Sequence, residues 1–357
     1  MTTELWILIA TFLGLSAVIL VAGHYMAAAA DVIGEKTGMG GSLAGLILLA
    51  AATSLPELAI NIAAVRLPES TNGVDLCLGN VLGSSLFNLM ILGVVDLAFR
   101  SRSKMFTSHS SEHALAALCS MGLTALILLF MVLEKETNDF SFSLWHMSLG
   151  PILCAVFYLF SIRLIYRDQN PAEEKEEERP AMTLGVAIGI YVLTTAAIFL
   201  AAHYLAPTAD RLAVITGLGG TFVGSTFLAL TTSLPEMVTT VAAVRMGAAN
   251  MAIGNIFGSN AFNIAILLPV DAVYTQGSLL ADASMVHAAT AAAVIFITCI
   301  ATMAIVNRRA KQYWLIEPDS LLVVLLVLGS LWGIYELTNE AIPPGTLPEV
   351  EVVVPDE

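Results

Sequence analysis

The sequence predicts an all-α polytopic membrane protein whose ten transmembrane helices form two inverted five-helix repeats. Three observations predict it. Of 357 residues, 57% are hydrophobic and 12% charged, where a soluble domain carries about 25% charged residues. Apolar runs of the roughly 20 residues needed to cross about 30 Å of hydrocarbon recur near 4–23, 40–65, 75–98, 113–133, 143–165, 182–205, 219–244, 250–274, 284–306 and 319–337. Finally, the chain contains a tandem duplication.

"GGSLAGLILLAAATSLPELAINIAAVR" at 40–66 aligns without gaps to "GGTFVGSTFLALTTSLPEMVTTVAAVR" at 219–245, and "GNVLGSSLFNLMILGVVD" at 79–96 to "GNIFGSNAFNIAILLPVD" at 254–271. Self-similarity of this kind decides the fold before any local pattern does. Each copy carries an odd number of spans, so the second enters the membrane from the opposite side. The units expected are a first repeat at 1–165 (motif region 40–98), an acidic linker at 166–181, a second repeat at 182–338 (motif region 219–273) and an acidic tail at 339–357. Inverted repeats place substrate sites near the midplane, where interrupted helices meet. Spans two, three, seven and eight carry the motifs and are expected at the centre.

The loops fix an orientation. One side holds Lys36, Arg100, Arg102, Lys104, Arg163, Arg167, Lys175, Arg179, Arg245, Arg308, Arg309 and Lys311; the other holds only Arg66, Lys135 and Arg211. By the positive-inside bias, both termini lie outside and the linker lies in the cytoplasm. The first run has no basic region before it, since the chain opens "MTTELW", so it is expected as a retained helix. The net charge of −14 gathers in "EEKEEE" at 173–178 and in the tail from Glu336; these are solvated segments, and nucleic acid is not an expected partner. Cys77, Cys119, Cys154 and Cys299 show no CxxC spacing and read as apolar filler. Four GxxxG pairs, Gly41 with Gly45, Gly79 with Gly83, Gly220 with Gly224 and Gly254 with Gly258, are expected to let helix backbones approach.

The chemistry concentrates in TSLPE, at Thr53 to Glu57 and again at Thr232 to Glu236. Proline lacks an N–H and clashes with the carbonyl four residues back. Pro56 therefore frees the carbonyl of Ala52 and disturbs that of Thr53, and Pro235 does the same at Thr231 and Thr232. Such carbonyls are tolerated at membrane depth only where protein buries them or they line a wet cavity. Beside them stand Glu57 and Glu236, and an intramembrane carboxylate is a functional-site hypothesis by default. Ser54 and Glu57 share a helix face at i, i+3, as do Ser233 and Glu236; Ser84 with Asn88 and Ser259 with Asn263 share one at i, i+4. Carboxylates, hydroxyls, amide oxygens and freed carbonyls are hard oxygen ligands suited to Ca²⁺ or Na⁺. Cysteine and histidine, expected for zinc or copper, are missing from the set. Occupancy by Ca²⁺ or by monovalent ions, each excluding the other, is the minimum requirement for exchange.

At these residues the sequence resembles the sodium/calcium exchanger family of the calcium/cation antiporter superfamily, in a ten-helix prokaryotic form. The resemblance covers essentially the whole chain and rests on the two TSLPE and two GN-x-x-G-S-x-x-x-N segments. It implies an integral protein of a prokaryotic plasma (inner) membrane, not an enzyme and without a resident cofactor, in which Na⁺ entry drives Ca²⁺ extrusion by alternating access. It further implies that Glu57 and Glu236 are shared ion carboxylates and that Ser54, Ser233, Ser84 and Ser259 supply hydroxyls. Thr53, Thr232, Ala50 and Ala229 would offer carbonyls, and Asn88 and Asn263 would complete the centre. Two departures stand out. The family usually has Gly where this chain has Ala52 and Thr231, and some prokaryotic members carry Asp at one of the two positions held here by Asn88 and Asn263. Asp96 and Asp271 do not substitute, since each lies eight residues past its Asn, about 12 Å along a helix and near opposite membrane faces.

Other readings stay open at this point. H⁺ could replace Na⁺ as the coupling ion, or K⁺ could accompany Ca²⁺. An intramembrane hydrolase could use a serine with a histidine or paired acids, although no histidine repeats with Ser84 or Ser259 and hydrolysis needs no duplicated site. His109 and His113 have metal-ligand spacing but read as a polar loop; His24, His146, His203 and His287 read as isolated interfacial residues. "EEKEEE" lacks the alternating ligands and Gly of an EF-hand loop.

Overall fold

The computed structural model describes residues 2–66, 73–99, 111–137, 147–168, 182–215, 230–307 and 318–341. Among these residues every extended element is a helix. Helix α1 (Thr2–Thr37) opens the first half. The second span is broken into α2 (Gly40–Leu43), a π-helical turn (Ala44–Leu49), α3 (Ala50–Thr53) and α4 (Leu55–Ala64). Then follow α5 (Gly73–Ala98), α6 (Ser111–Thr137) and α7 (Leu149–Asp168). In the second half come α8 (Leu184–Ile215), α9 (Leu234–Arg245), α10 (Ala249–Ala265), α11 (Leu267–Val273), α12 (Val286–Asn307) and α13 (Pro318–Ala341). Nine helices among the described residues are long and apolar enough to span. The remaining span, the seventh, is described only from residue 230 onward, which includes α9. Ala229, Gly220, Gly224, His109, His146, most of the linker and the tail from residue 342 lie outside the described residues.

Helix α1 outruns its expected limit of residue 23. The following Ala-rich stretch favours helix and buries Met26, Ala27, Ala29, Ala30, Val32 and Ile33. The helix stops where Gly38 takes a φ of +71°, a left-handed conformation that glycine adopts without a Cβ penalty.

The motif helices occupy the centre, as expected. Of each span's most apolar window, 72% is buried in α5, 67% in α10–α11 and 61% in α2–α4, against 17% in α1 and in α13 and 22% in α8. The outer helices turn Trp6, Leu13, Val192, Leu193 and Trp332 outward, which suits lipid. Two apolar clusters divide the core into layers. One holds Leu49, Ala52, Leu86 and Phe257; the other holds Leu78, Leu82, Ala261 and Leu267. Thr53, Ser54, Ser84, Ser85, Ser259 and Asn260 fall in sequence at the change from one layer to the other.

Contacts sort the helix ends into two groups. Lys135 donates to the carbonyls of Ala281 and Ala283 at 3.1 and 3.2 Å, and the Asp75 carboxylate accepts from the Ser284 N–H at 2.8 Å and pairs with His287 at 3.1 Å. His287 is therefore tied to α5, which corrects its reading as an isolated residue. At the other group of ends, Arg245 lies over the Phe99 ring, 5.8 Å from its centre, and His113 pairs with Asn250 at 3.0 Å. That pairing gives His113 a structural partner of its own.

Glycine sets the closest packing. A Cβ on Gly45 would lie 2.1 Å from the Met251 carbonyl oxygen, one on Gly254 2.2 Å from that of Ser42, and one on Gly258 2.5 Å from that of Leu46. The broken second span and α10 thus touch backbone to backbone. Gly79 departs from the expectation, because a Cβ there would meet only the His287 ring at 3.4 Å.

Asp96 and Asp271, equivalent positions in the repeat, each hold a helix start in the other half. Asp271 accepts the backbone N–H of Ser148 at 2.6 Å, just before α7, and that of Leu279 at 3.4 Å. Asp96 accepts the hydroxyl of Ser320, in the first turn of α13, at 2.6 Å. A carboxylate at a helix N-terminus satisfies unpaired donors and complements the helix dipole. Ser148 and Ser278 also donate their hydroxyls to buried Glu134, tightening the Asp271 end.

Gly254→Ala is expected to lower the melting temperature, by at least the about 1–3 kcal/mol typical of overpacking, because a backbone oxygen must move. Gly79→Ala is expected to be neutral or to stabilise by up to about 1 kcal/mol through helix propensity. Thermal unfolding in detergent compares the two.

Candidate functional site

Both TSLPE segments break their helices at the serine. Ser54 has φ −92° and ψ 4°, Ser233 φ −83° and ψ 7°, outside the helical range, and Pro56 and Pro235 sit in the first turn of the helix that restarts, where the missing N–H costs nothing. The break leaves Glu57 and Glu236 in the first turns of α4 and α9, where the helix dipole favours negative charge.

The two segments meet. The Ser54 hydroxyl donates to Glu236 Oε1 at 3.1 Å, and the two carboxylates lie within electrostatic reach of each other. Thr53, Ser54, Glu57, Ser84, Asn88, Thr232, Ser233, Glu236, Ser259 and Asn263 are all buried, each 3% exposed or less. Ala50 is buried in α3. Among the described residues, several of their polar atoms have no partner: both oxygens of Glu57, Oε2 of Glu236, Oγ of Ser84, Ser233 and Ser259, Oδ1 of Asn88, and both amide atoms of Asn263. Buried polar atoms are nearly always hydrogen-bonded, so this many without partners in both repeats calls for an explanation, and the carboxylate, hydroxyl and amide oxygens among them are hard acceptors of the kind a cation can use. Their charge is that of two carboxylates, enough to balance one Ca²⁺.

The oxygen expected of Thr53 is its backbone carbonyl; its hydroxyl donates to the Leu49 carbonyl at 2.9 Å and lies beside Glu236. The Ser54 bond is not reciprocated, since Ser233 makes no matching bond to Glu57.

The sequence reading missed asparagines that join the motif helices beside the carboxylates. Asn80 donates to Asn61 at 2.8 Å, and the Thr232 hydroxyl reaches Asn80 Oδ1 at 3.5 Å. At the equivalent place Asn255 donates to the hydroxyls of Thr239 and Thr240 at 3.1 and 2.9 Å, and to the Glu236 carbonyl at 3.4 Å. Each ties a GN segment to its neighbouring TSLPE helix. The signal was present in the repeated Asn of GN, and in the equivalence of Asn61 and Thr240, amide in one half and hydroxyl in the other.

Comparison with known proteins bears on the family and the fold. Residues 7–166 and 186–335 match the family model described as sodium/calcium exchanger protein. The chain belongs to the sodium/calcium exchanger family. It is 28% identical over 288 residues to the sodium/calcium exchanger MaX1 of Methanosarcina acetivorans, covering 73% of this chain and 81% of that protein. It is also 28% identical over 263 residues to the inner membrane protein YrbG of Escherichia coli, covering 70% and 75%. Among solved structures, the sodium-calcium exchanger NCX_Mj, soaked with 2.5 mM Na⁺ and 10 mM Sr²⁺, superposes with a TM-score of 0.64 at 18% identity, covering 92% of this chain and 99% of that one. At that identity the likeness shows the fold. This family member is thus an integral membrane protein of an exchanger family, not of a catalytic one.

The one-way serine bond predicts unequal serines. Ser54→Ala is expected to destabilise the protein without added ions by about 1.5–3 kcal/mol, the range for a hydrogen bond to a charged group. Ser233→Ala removes no protein hydrogen bond and is expected to change stability by less than about 0.5 kcal/mol. Melting curves in choline buffer measure both.

Proposed function

We propose that this protein is a secondary antiporter that exchanges Na⁺ for Ca²⁺ by alternating access at the midplane centre. The observation that carries the reading is the buried set of unpartnered oxygens on Glu57, Glu236, Ser84, Ser233, Ser259, Asn88 and Asn263. Thr53, Thr232, Ala50 and Ala229 add backbone carbonyls in this reading. An ionised carboxylate with no partner is strongly destabilising in a buried setting, so the centre favours a bound cation. One Ca²⁺ or monovalent ions can supply the charge, and occupancy by one excludes the other. Family membership supports the reading, as does the description of MaX1 as a sodium/calcium exchanger. The two five-helix units are residues 1–165 and 182–338, both termini face outward, and the 166–181 linker faces the cytoplasm.

The test is ⁴⁵Ca²⁺ uptake into proteoliposomes loaded with Na⁺, compared at fixed pH with K⁺ loading and with an imposed proton gradient. Uptake that requires internal Na⁺ is the expected outcome. Uptake driven by the proton gradient alone would make the protein a proton/calcium antiporter, and a joint requirement for K⁺ would make it a potassium-dependent exchanger. Glu57→Gln and Glu236→Gln are each expected to abolish Ca²⁺ flux without lowering the melting temperature of the ion-free protein, because each removes a buried charge. Near-normal flux in either variant would overturn the assignment of the centre.

A further inference from the structure

The repeats also differ at a position three residues before each central asparagine: 85 in the first half and 260 in the second. Where the first half has Ser85, the second has Asn260. Asn260 is fully buried and bridges the halves: its Nδ2 donates to the Ser85 carbonyl at 3.3 Å, and its Oδ1 accepts Nδ2 of Asn88 at 2.9 Å. A peptide carbonyl can only accept. The Asn260 amine is therefore fixed on the Ser85 side and its oxygen is turned to Asn88. Asn88 must answer with its own amine, and its Oδ1 is left buried without a partner among the described residues. The other half offers no such control, because the Ser85 hydroxyl is spent on the Val81 carbonyl at 3.0 Å and both amide atoms of Asn263 are unpartnered.

We propose that Asn260 is a positioning residue that locks Asn88 with its carbonyl oxygen presented to the ion centre. The inference rests on the reading of that centre as an ion site. It makes the two central amides unequal. A carboxylate at position 88 would set an acceptor against Asn260 Oδ1, and turning Asn260 over would set its oxygen against the Ser85 carbonyl. Two acceptors facing each other in a buried place are unfavourable either way. Position 263 meets no such obstacle. A serine at 260 relieves the conflict, because a hydroxyl rotates and can donate.

The experiment uses the full chain in proteoliposomes for ⁴⁵Ca²⁺ uptake, and in detergent without Ca²⁺ or Na⁺ for melting. Asn260→Ser is expected to raise half-saturation for Ca²⁺ about fivefold, the equivalent of one ordinary hydrogen bond, and to lower the maximal rate by a smaller factor. Asn88→Asp is expected to melt earlier and transport less than Asn263→Asp. The double variant Asn88→Asp with Asn260→Ser is expected to recover part of both losses, which a merely structural Asn260 would not produce. Unchanged half-saturation in Asn260→Ser, or a double variant no better than Asn88→Asp alone, overturns the proposal. If the wild-type protein carries no Ca²⁺ under any gradient, the ion reading has failed, and the melting cycle still decides whether Asn260 orients Asn88.

Discussion

Two carboxylates have to be held without lipid contact at the boundary between two apolar layers, and the rest of the structure follows from that constraint. Glu57 and Glu236 are at most 1% exposed, and hydrocarbon offers them no hydrogen-bond donors. The helix breaks at Ser54 and Ser233 place them in first turns, where the helix dipole favours negative charge, and the described parts of the motif spans bury them. Backbone contact at Gly45, Gly254 and Gly258 lets short side chains, rather than long ones, line the space between. What the described residues do not supply is a full set of partners, and in the proposed function it is the cargo that would complete it.

The inverted repeat makes the halves similar without making them equal. Ser54 reaches across to Glu236, and no equivalent bond returns from Ser233. Asn61 faces Asn80 where Thr240 faces Asn255. Asn260 orders Asn88 while Asn263 is left unconstrained. Each difference sits next to the carboxylates. A strictly symmetric centre would present the same environment from both halves, whereas these pairs surround the two carboxylates with different donors on either side.

Much of this was legible before any coordinates, for identifiable reasons. Hydropathy and the duplicated segments marked the spans and the central four, because burial in a membrane protein follows directly from apolar length and polar motifs. TSLPE marked the break and the carboxylates, because proline and an intramembrane acid each have few physical interpretations. Less legible was whatever depends on partners distant in sequence. The 36 residues of α1 exceed the apolar run because the burial of small side chains such as Ala27, Ala29 and Ala30 against neighbouring helices does not register as hydropathy. Asp75 and His287 look unrelated until α5 and α12 meet. Asn80, Asn255 and Asn260 were visible as repeated or substituted letters, but an asparagine's role is set by which of its two amide atoms finds a partner, and only the fold decides that.

The exchanged caps carry a consequence for biosynthesis. The start of α7 is held by Asp271 and the first turn of α13 by Asp96, so each half finishes its last helix with a side chain from the other. As the chain emerges in order, α7 leaves the ribosome well before the residue that secures it. The first half therefore waits, incompletely anchored, until more than a hundred further residues have been inserted. The duplicated halves, however alike, are not two finished proteins joined by a linker; they mature as one.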